Sequence, residues 1–332
     1  MKKIAILGAG TWGVALARQL ALGGNEVTIW SALEQEIDQL NATRKQPNLP
    51  AMVIPSSVTF TKSLKEACTK ADILLFAVPS IFVRETAAKV SPFIQEGQII
   101  VDVAKGIEAD TLLTMTQVIG QELKKDLPLV ALSGPTHAEE VALDQPTAIV
   151  SACKSLNAAE QVQALFANTC MRVYTNEDIK GVELCGAMKN IIALAAGISA
   201  GLQYGDNTKA ALITRGMTEI TRLGLAMGCS EHTFAGLAGI GDLIVTATSN
   251  HSRNNRAGFL IGQGRSPQQA IQEIGMVVEG INALPAAIKL AQHYQVEMPI
   301  ISAIDQVIRH NADPAATVQK LMEREQKPEI LS

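Results

Sequence analysis

Apolar positions in the first half of the chain fall in short continuous runs, with helical patterns in the gaps. Ile4–Leu7 is the first run. Glu26–Trp30, Ala71–Val78, Gln98–Val103, Leu129–Leu132 and Thr147–Val150 repeat it, and Val173–Tyr174 adds a shorter one. Between most of them apolar residues recur at helical spacing, in Val14–Leu22, Leu33–Leu40, Leu64–Thr69 and Leu112–Leu123. Continuous apolar strands between helices predict a parallel sheet covered on both faces, the doubly wound α/β class. Ligands of such sheets bind beyond the carboxyl ends of the strands. Polar groups do follow strand ends here, at Pro79-Ser80, Lys105 and Gly134-Pro135-Thr136.

The first strand runs directly into Gly8, Gly10 and Gly13, spaced G-x-G-x-x-G, and a helical pattern follows at once. This order marks a dinucleotide site of the Rossmann type. Gly8 permits the tight turn, Gly10 admits a pyrophosphate close to the backbone, and Gly13 lets helix and strand pack closely. The helix N-terminus then offers unpaired N–H groups to the phosphates. Met1-Lys2-Lys3 before an apolar run also resembles a secretory leader. Three glycines interrupt that run, Arg18 closes it, and no small-x-small cleavage site follows. A cytoplasmic protein is expected.

From about Gly181 the strands stop and long, small-residue helical patterns take over: Val182–Ile198, Lys209–Leu225, Pro267–Ile274, Asn282–Tyr294 and Ser302–Arg309. Two domains are expected, a dinucleotide-binding domain over residues 1–180 and an all-α substrate-binding and catalytic domain over 181–332. The active site should lie in the cleft between them.

With 332 residues, 47% of them hydrophobic and 18% charged, the chain can build real cores and is not a disordered polymer. A net charge of −4 gives no reason to expect nucleic acid. The longest candidate for a membrane span, Ile191–Leu202, falls short of the roughly 18 residues that crossing a bilayer requires. Five cysteines without C-x-x-C spacing point to reduced thiols and no structural metal.

Several segments carry candidate chemistry. Ala187-Met188-Lys189-Asn190 places one lysine in an otherwise apolar helix, where it is either a snorkelling edge residue or a functional one. Desolvation or a nearby cation would pull its pKa from about 10.4 towards neutrality, suiting it to exchange a proton with an alcohol or carbonyl oxygen. Asn190 is a donor for the same ligand. Lys105, at a strand end in Ala104-Lys105-Gly106, is a second cation that would lower the first one's pKa. Asp242, in Gly239-Ile240-Gly241-Asp242, is either a turn cap or an orienting carboxylate, and in the second role it would raise that pKa. His251-Ser252-Arg253-Asn254 combines guanidinium, hydroxyl and amide before a helix, a mixture suited to phosphate. Glu279 offers a carboxylate to an amide or a ribose hydroxyl. His137 and His232 fit no triad or metal spacing.

Taken together, Gly8–Gly13, Ala77-Val-Pro79-Ser80, Ala104–Gly106, Leu132–Thr136, Ala187–Asn190, Gly239–Asp242, His251–Asn254 and Val278–Gly280 resemble the bacterial NAD(P)-dependent glycerol-3-phosphate dehydrogenase family along almost the whole chain. The resemblance implies reversible reduction of dihydroxyacetone phosphate to sn-glycerol 3-phosphate, supplied to phospholipid synthesis. It implies a Rossmann domain followed by an all-α domain similar to the C-terminal domain of 6-phosphogluconate dehydrogenase. It makes Lys189 the general acid/base, with Lys105 and Asp242 positioning substrate and lysine. It makes Gly134, Thr136, Ser252, Arg253 and Asn254 substrate residues, chiefly at the phosphate end, and adds Asn190 and Thr246 from eukaryotic relatives. Thr11, Trp12, Pro79, Lys105, Ala138, Arg253, Val277 and Glu279 would join Gly8, Gly10 and Gly13 around the cofactor.

A site selective for NAD usually carries Asp or Glu at the end of its second strand. Here Trp30 runs into Ser31-Ala32-Leu33, and Glu34 comes late. That missing acid leans the expectation towards NADPH, with NADH also usable and Arg44 or Lys45 reaching from the next loop. A homodimer through the helical half is expected. The alternatives are a β-hydroxyacid or ketopantoate dehydrogenase, which the phosphate-suited Ser252–Asn254 disfavours, and a non-catalytic dinucleotide sensor, which the lysines disfavour.

Overall fold

The structure, a computed structural model, describes residues 1–326, 328 and 329. Its sheet holds β1 (Lys3–Leu7), β2 (Glu26–Trp30), β3 (Thr59–Thr61), β4 (Ile73–Phe76), β5 (Ile99–Asp102), β6 (Leu129–Ser133), β7 (Thr147–Ala152) and β8 (Met171–Asn176), in the order β3-β2-β1-β4-β5-β6-β7-β8. The reversal of order at β1 is the doubly wound pattern, and the glycine turn sits at that switch point. The pairings Leu7 with Trp30, Leu7 with Phe76 and Phe76 with Asp102 bring four strand ends to one edge. Side chains alternate across the sheet. Ile4 and Ile6 join one core with α1 (Thr11–Leu22), while Ala5 and Leu7 join the opposite one.

The all-parallel expectation fails at one strand. β7 pairs antiparallel with β6, Leu132 opposite Ser151, and β8 then runs parallel to β7. Between β6 and β7 lies a single short helix of five residues, which rises about 7 Å, against about 16 Å for the strand it would have to span. The chain therefore re-enters from the carboxyl edge.

The remaining sheet-layer helices are α2 (Glu34–Thr43), α3 (Leu64–Lys70), α4 (Val83–Val90), α5 (Met115–Leu123), α6 (Ala138–Ala142, the short one) and α7 (Leu156–Ala164). Leu112, expected to open a helix, instead sits at φ +61° in a turn closed by an Ile107–Thr114 bridge. The helix starts at Met115, after Thr114, whose N–H donates to Gln117. Beyond Asn176 the described residues are helical: α8 (Ile179–Gly201), α9 (Asp206–Ala226), α10 (Glu231–Phe234), α11 (Asp242–Thr248), α12 (Arg253–Gly262), α13 (Pro267–Ile274), α14 (Glu279–His293), α15 (Pro299–His310) and α16 (Pro314–Met322).

α8 is the axis of this half. At 23 residues it is longer than the apolar run seen in the sequence, and by length and composition it would cross a membrane. It does not face lipid here: 89% of its apolar window is buried inside the protein, and every residue from Gly181 to Ser199 is buried. α12 lies against it backbone to backbone. A Cβ added at Gly258 would stand 2.1 Å from Leu194 O, and one at Gly197 would stand 2.0 Å from Asn255 O. Glycines spaced by four on each helix, 197 and 201 with 258 and 262, permit that approach. It carries the start of α12 towards Lys189 and Asn190.

Candidate active site

At the end of β1 the chain turns at Gly8, with φ +124°, where a Cβ would lie 2.6 Å from Ala77 O. The Gly8 N–H donates to Trp30 O at 2.7 Å, stitching the turn to the end of β2. A Cβ on Gly13 would lie 2.3 Å from Gly8 O, so helix and turn touch as expected. Gly10 is the N-cap of α1, and a Cβ there would meet nothing within 4 Å. No acid occupies the first turn of α1 and no side chain caps it, so its first N–H groups face open space. That cradle fits a pyrophosphate. Thr11 accepts from Asn48 Nδ2 at 3.1 Å, and Trp12 is half-buried against the core. Pro79 is exposed at the end of β4, beside the Ala77 that touches Gly8.

A buried carboxylate holds two lysines. Asp242, fully buried at the start of α11, accepts from Lys105 Nζ on Oδ2 at 2.8 Å and from Lys189 Nζ on Oδ1. An irregular turn over Leu237–Gly241, broken at Gly239, aims this carboxylate. Lys189 also donates to Thr246 Oγ1 at 2.6 Å, and Thr246 donates to Asp242 O at 2.7 Å. Lys105, on the loop after β5, donates to Gly134 O at 3.0 Å and Thr136 Oγ1 at 3.1 Å. Burial pushes the Lys189 ammonium down to about 7; the carboxylate of Asp242 opposes this and the charge of Lys105 adds to it. The opposing effects noted in the sequence thus resolve in favour of burial. Lysine, carboxylate and second lysine form a site that can exchange one proton near neutrality and stabilise an oxyanion.

Asn190 lies one residue on. Its Nδ2 donates to Gly186 O, and its Oδ1 accepts from Asn254 Nδ2 at 2.9 Å. Asn254 in turn accepts from the Gly280 N–H at 2.8 Å, joining α8, α12 and α14. Ser252 is the N-cap of α12, accepting from Asn255 N, while Arg253 stands exposed on the first turn. Glu279 accepts from the N–H and hydroxyl of Ser80, at 3.2 and 2.8 Å. Burial pushes its carboxyl up, opposed by those hydrogen bonds and by the charge of Arg253. Val277, half-buried, precedes it on the loop before α14, and Ala138 is buried at the start of α6, two residues after Thr136.

His137, which fits no triad or metal spacing in the sequence, has partners in the fold. Its ring lies 5.8 Å from that of His251, and its Nε2 is buried with no partner. Burial pushes the imidazole below its ordinary value; a hydrogen bond to the Val245 backbone opposes this, and the charge of Lys189 adds to it. No spacing could have shown this, because α11 brings Val245 to it. Arg44 does not reach towards the cofactor turn. Its guanidinium donates to the carbonyls of Pro55 and Val58 and stacks over Phe60, 5.1 Å from the ring centroid. Nor is the end of β2 free of acid: Glu36 returns to Ser31 there, hydroxyl to carboxylate, at 2.6 Å. The strand-end motif behind the lean towards NADPH therefore leaves out an acid that the fold brings to that place. Glu36 is the third residue of α2, too far along the chain for a strand-end motif to mark it.

A doubly wound sheet with an open glycine turn, and two lysines sharing a buried carboxylate beyond its strand ends, define a Rossmann-type oxidoreductase. Family models described as NAD-dependent glycerol-3-phosphate dehydrogenase N-terminus and C-terminus match residues 3–159 and 178–319. The chain belongs to that family, and its cofactor is NAD or NADP. It is 63% identical to glycerol-3-phosphate dehydrogenase [NAD(P)+] 2 of Lactobacillus delbrueckii subsp. bulgaricus, over 99% of both chains. It is 49% identical to glycerol-3-phosphate dehydrogenase [NAD(P)+] of Bacillus subtilis, over 98% of this chain and 95% of that one. Among solved structures, the glycerol-3-phosphate dehydrogenase of Coxiella burnetii superposes with a TM-score of 0.92 at 38% identity, covering 97% of this chain and 99% of that one.

Proposed function

We propose that this protein catalyses the reversible, NAD(P)-dependent reduction of dihydroxyacetone phosphate to sn-glycerol 3-phosphate. The observation that carries the reading is Lys189, buried and sharing Asp242 with Lys105 beyond the strand ends. A bound nicotinamide supplies the hydride for C2, or accepts it in the oxidative direction. Lys189 holds the proton for the C2 oxygen: it gives that proton as the alkoxide develops and takes it back from the alcohol. Asp242 fixes both ammonium groups. Lys105 adds positive charge where the oxyanion forms. Thr246 fixes the Lys189 ammonium, and Asn190 stands ready to donate to a hydroxyl of the substrate.

Arg253, Ser252, Asn254, Gly134 and Thr136 hold the substrate, chiefly its phosphate, and this remote binding orients C2. Gly8, Gly10, Thr11, Trp12, Gly13, Pro79, Ala138, Val277 and Glu279 line the cofactor. The chain divides near residue 180 into a dinucleotide-binding part and a helical catalytic part. We further read the protein as a cytoplasmic homodimer, paired through the apolar helical half, that supplies glycerol 3-phosphate to phospholipid synthesis. Light scattering behind a sizing column tests the dimer.

The direct test of the reaction mixes protein, dihydroxyacetone phosphate and reduced nicotinamide. Loss of nicotinamide absorbance with formation of glycerol 3-phosphate is expected. Cofactor binding without turnover would return the assignment to a sensor or to another reductase.

A further inference from the structure

The adenosine end of the cofactor site has a feature of its own. Trp30 ends β2 and its carbonyl receives the Gly8 N–H, so Ser31 stands beside the glycine turn. Ser31 is buried. Its hydroxyl accepts from Leu33 N at 3.1 Å and donates to Glu36 Oε2 at 2.6 Å. Glu36, half-buried on the first turn of α2, is thereby drawn back to the strand end. Its Oε1 has no protein partner among the described residues.

Two of the neighbouring cations are otherwise engaged. Lys62 is paired with Asp38 at 2.8 Å and with Glu34 at 3.4 Å. Arg44 is spent on the Pro55 and Val58 carbonyls. Lys45 follows on the exposed loop, and Leu33, 62% exposed, presents an apolar side chain beside Ser31.

We propose that Glu36, held by Ser31, reads the 2′ position of the adenosine ribose and makes this protein select NADH over NADPH. The inference rests on the cofactor lying over the glycine turn as proposed above. A 2′-hydroxyl can donate to the carboxylate, as an acid at this strand end does in NAD sites. A 2′-phosphate brings about two negative charges against it, and the Arg44 guanidinium that could offset them is held by the Pro55 and Val58 carbonyls. An acid that the strand-end motif lacks is thus restored by the fold, from one helical turn further along the chain.

The test measures dissociation constants of NADH and of NADPH by calorimetry, on the full chain and without substrate. The unaltered protein should bind NADH tighter by about tenfold or more, the scale of one unfavourable like-charge contact. Glu36→Gln should tighten NADPH and weaken NADH, closing most of that gap, and Ser31→Ala should do the same to a lesser degree. A Glu36 that merely caps α2 would change the melting temperature and leave the ratio of the two constants alone. NADPH binding as tightly as NADH in the unaltered protein would overturn the proposal, as would an unchanged ratio in Glu36→Gln. So would NADPH binding that depends on Lys45, read from Lys45→Ala. Gly10→Ala, whose Cβ enters open space, should weaken both cofactors alike. If it weakens neither, the placement of the cofactor fails and not the selectivity alone.

Discussion

Helix α8 buries two charges six residues apart, and their surroundings differ. Glu183 faces the start of α5, where its oxygens accept from Thr116 N at 2.7 Å and Thr116 Oγ1 at 2.6 Å. Burial pushes its carboxyl up and those hydrogen bonds pull it back. Asp102, ending β5 nearby, is pushed well up by its burial and by the charge of Glu183. Among the described residues Lys189 has one counter-ion and shares it with a second lysine. A buried charge closed off by backbone and hydroxyl donors anchors one layer of a protein on another. A buried charge that shares its only counter-ion with a like charge is poised to lose its proton.

The sharpest way to break this comparison is to remove each charge in turn. Lys189→Met should lower kcat by about a thousandfold or more, with a melting temperature close to that of the unaltered protein. A kcat within about tenfold of normal would remove Lys189 from the proton transfer. Glu183→Ala should do the opposite. It leaves the buried Thr116 donors unpaired and should cost about 2–3 kcal/mol of stability, while the folded fraction keeps its kcat. Loss of kcat without loss of stability would show that Glu183 belongs to the chemistry.

A smaller effect should follow from Arg253→Ala. Losing the guanidinium should raise KM for dihydroxyacetone phosphate by about ten- to a hundredfold and lower kcat less. Unchanged KM values for substrate and cofactor would take Arg253 out of the site.

The finest test is the pH profile. Reduction needs Lys189 protonated, so kcat/KM for reduction should hold below about 7 and fall above it, while kcat/KM for oxidation should rise through the same pH. Lys105→Gln removes a cation that lowers the Lys189 pKa, so the limb should move to higher pH. Asp242→Asn removes the carboxylate that raises it, so the limb should move lower. Glu183→Gln should leave it in place. A limb that ignores Lys105 and Asp242 would belong to another group.

Much of the sheet was legible because its signals are local. Glu26–Trp30 is a strand as expected and Pro267–Ile274 a helix as expected, the latter bounded by Ser266 and by Gly275 in the left-handed region. The direction of β7 was not legible, since it depends on how far the five-residue α6 carries the chain rather than on any pattern within the strand. β3, three residues long, carries too little sequence to show a period.

Residues 4–17 alone determined the glycine turn, because its requirements are steric and act between neighbours in the chain. The same holds for the apolar runs that must pair and be covered, and for the presence of one lysine in an apolar helix. Tertiary structure decided which charges face one another. Lys189 meets Asp242 across 53 residues of chain, Lys105 meets the same carboxylate across 137, and α2 folds Glu36 back onto Ser31 at the end of β2. Protonation and charge selectivity depend on distance and on exclusion of water. Those quantities exist only once the chain has closed, so the sequence supplied the groups and the fold set their chemistry.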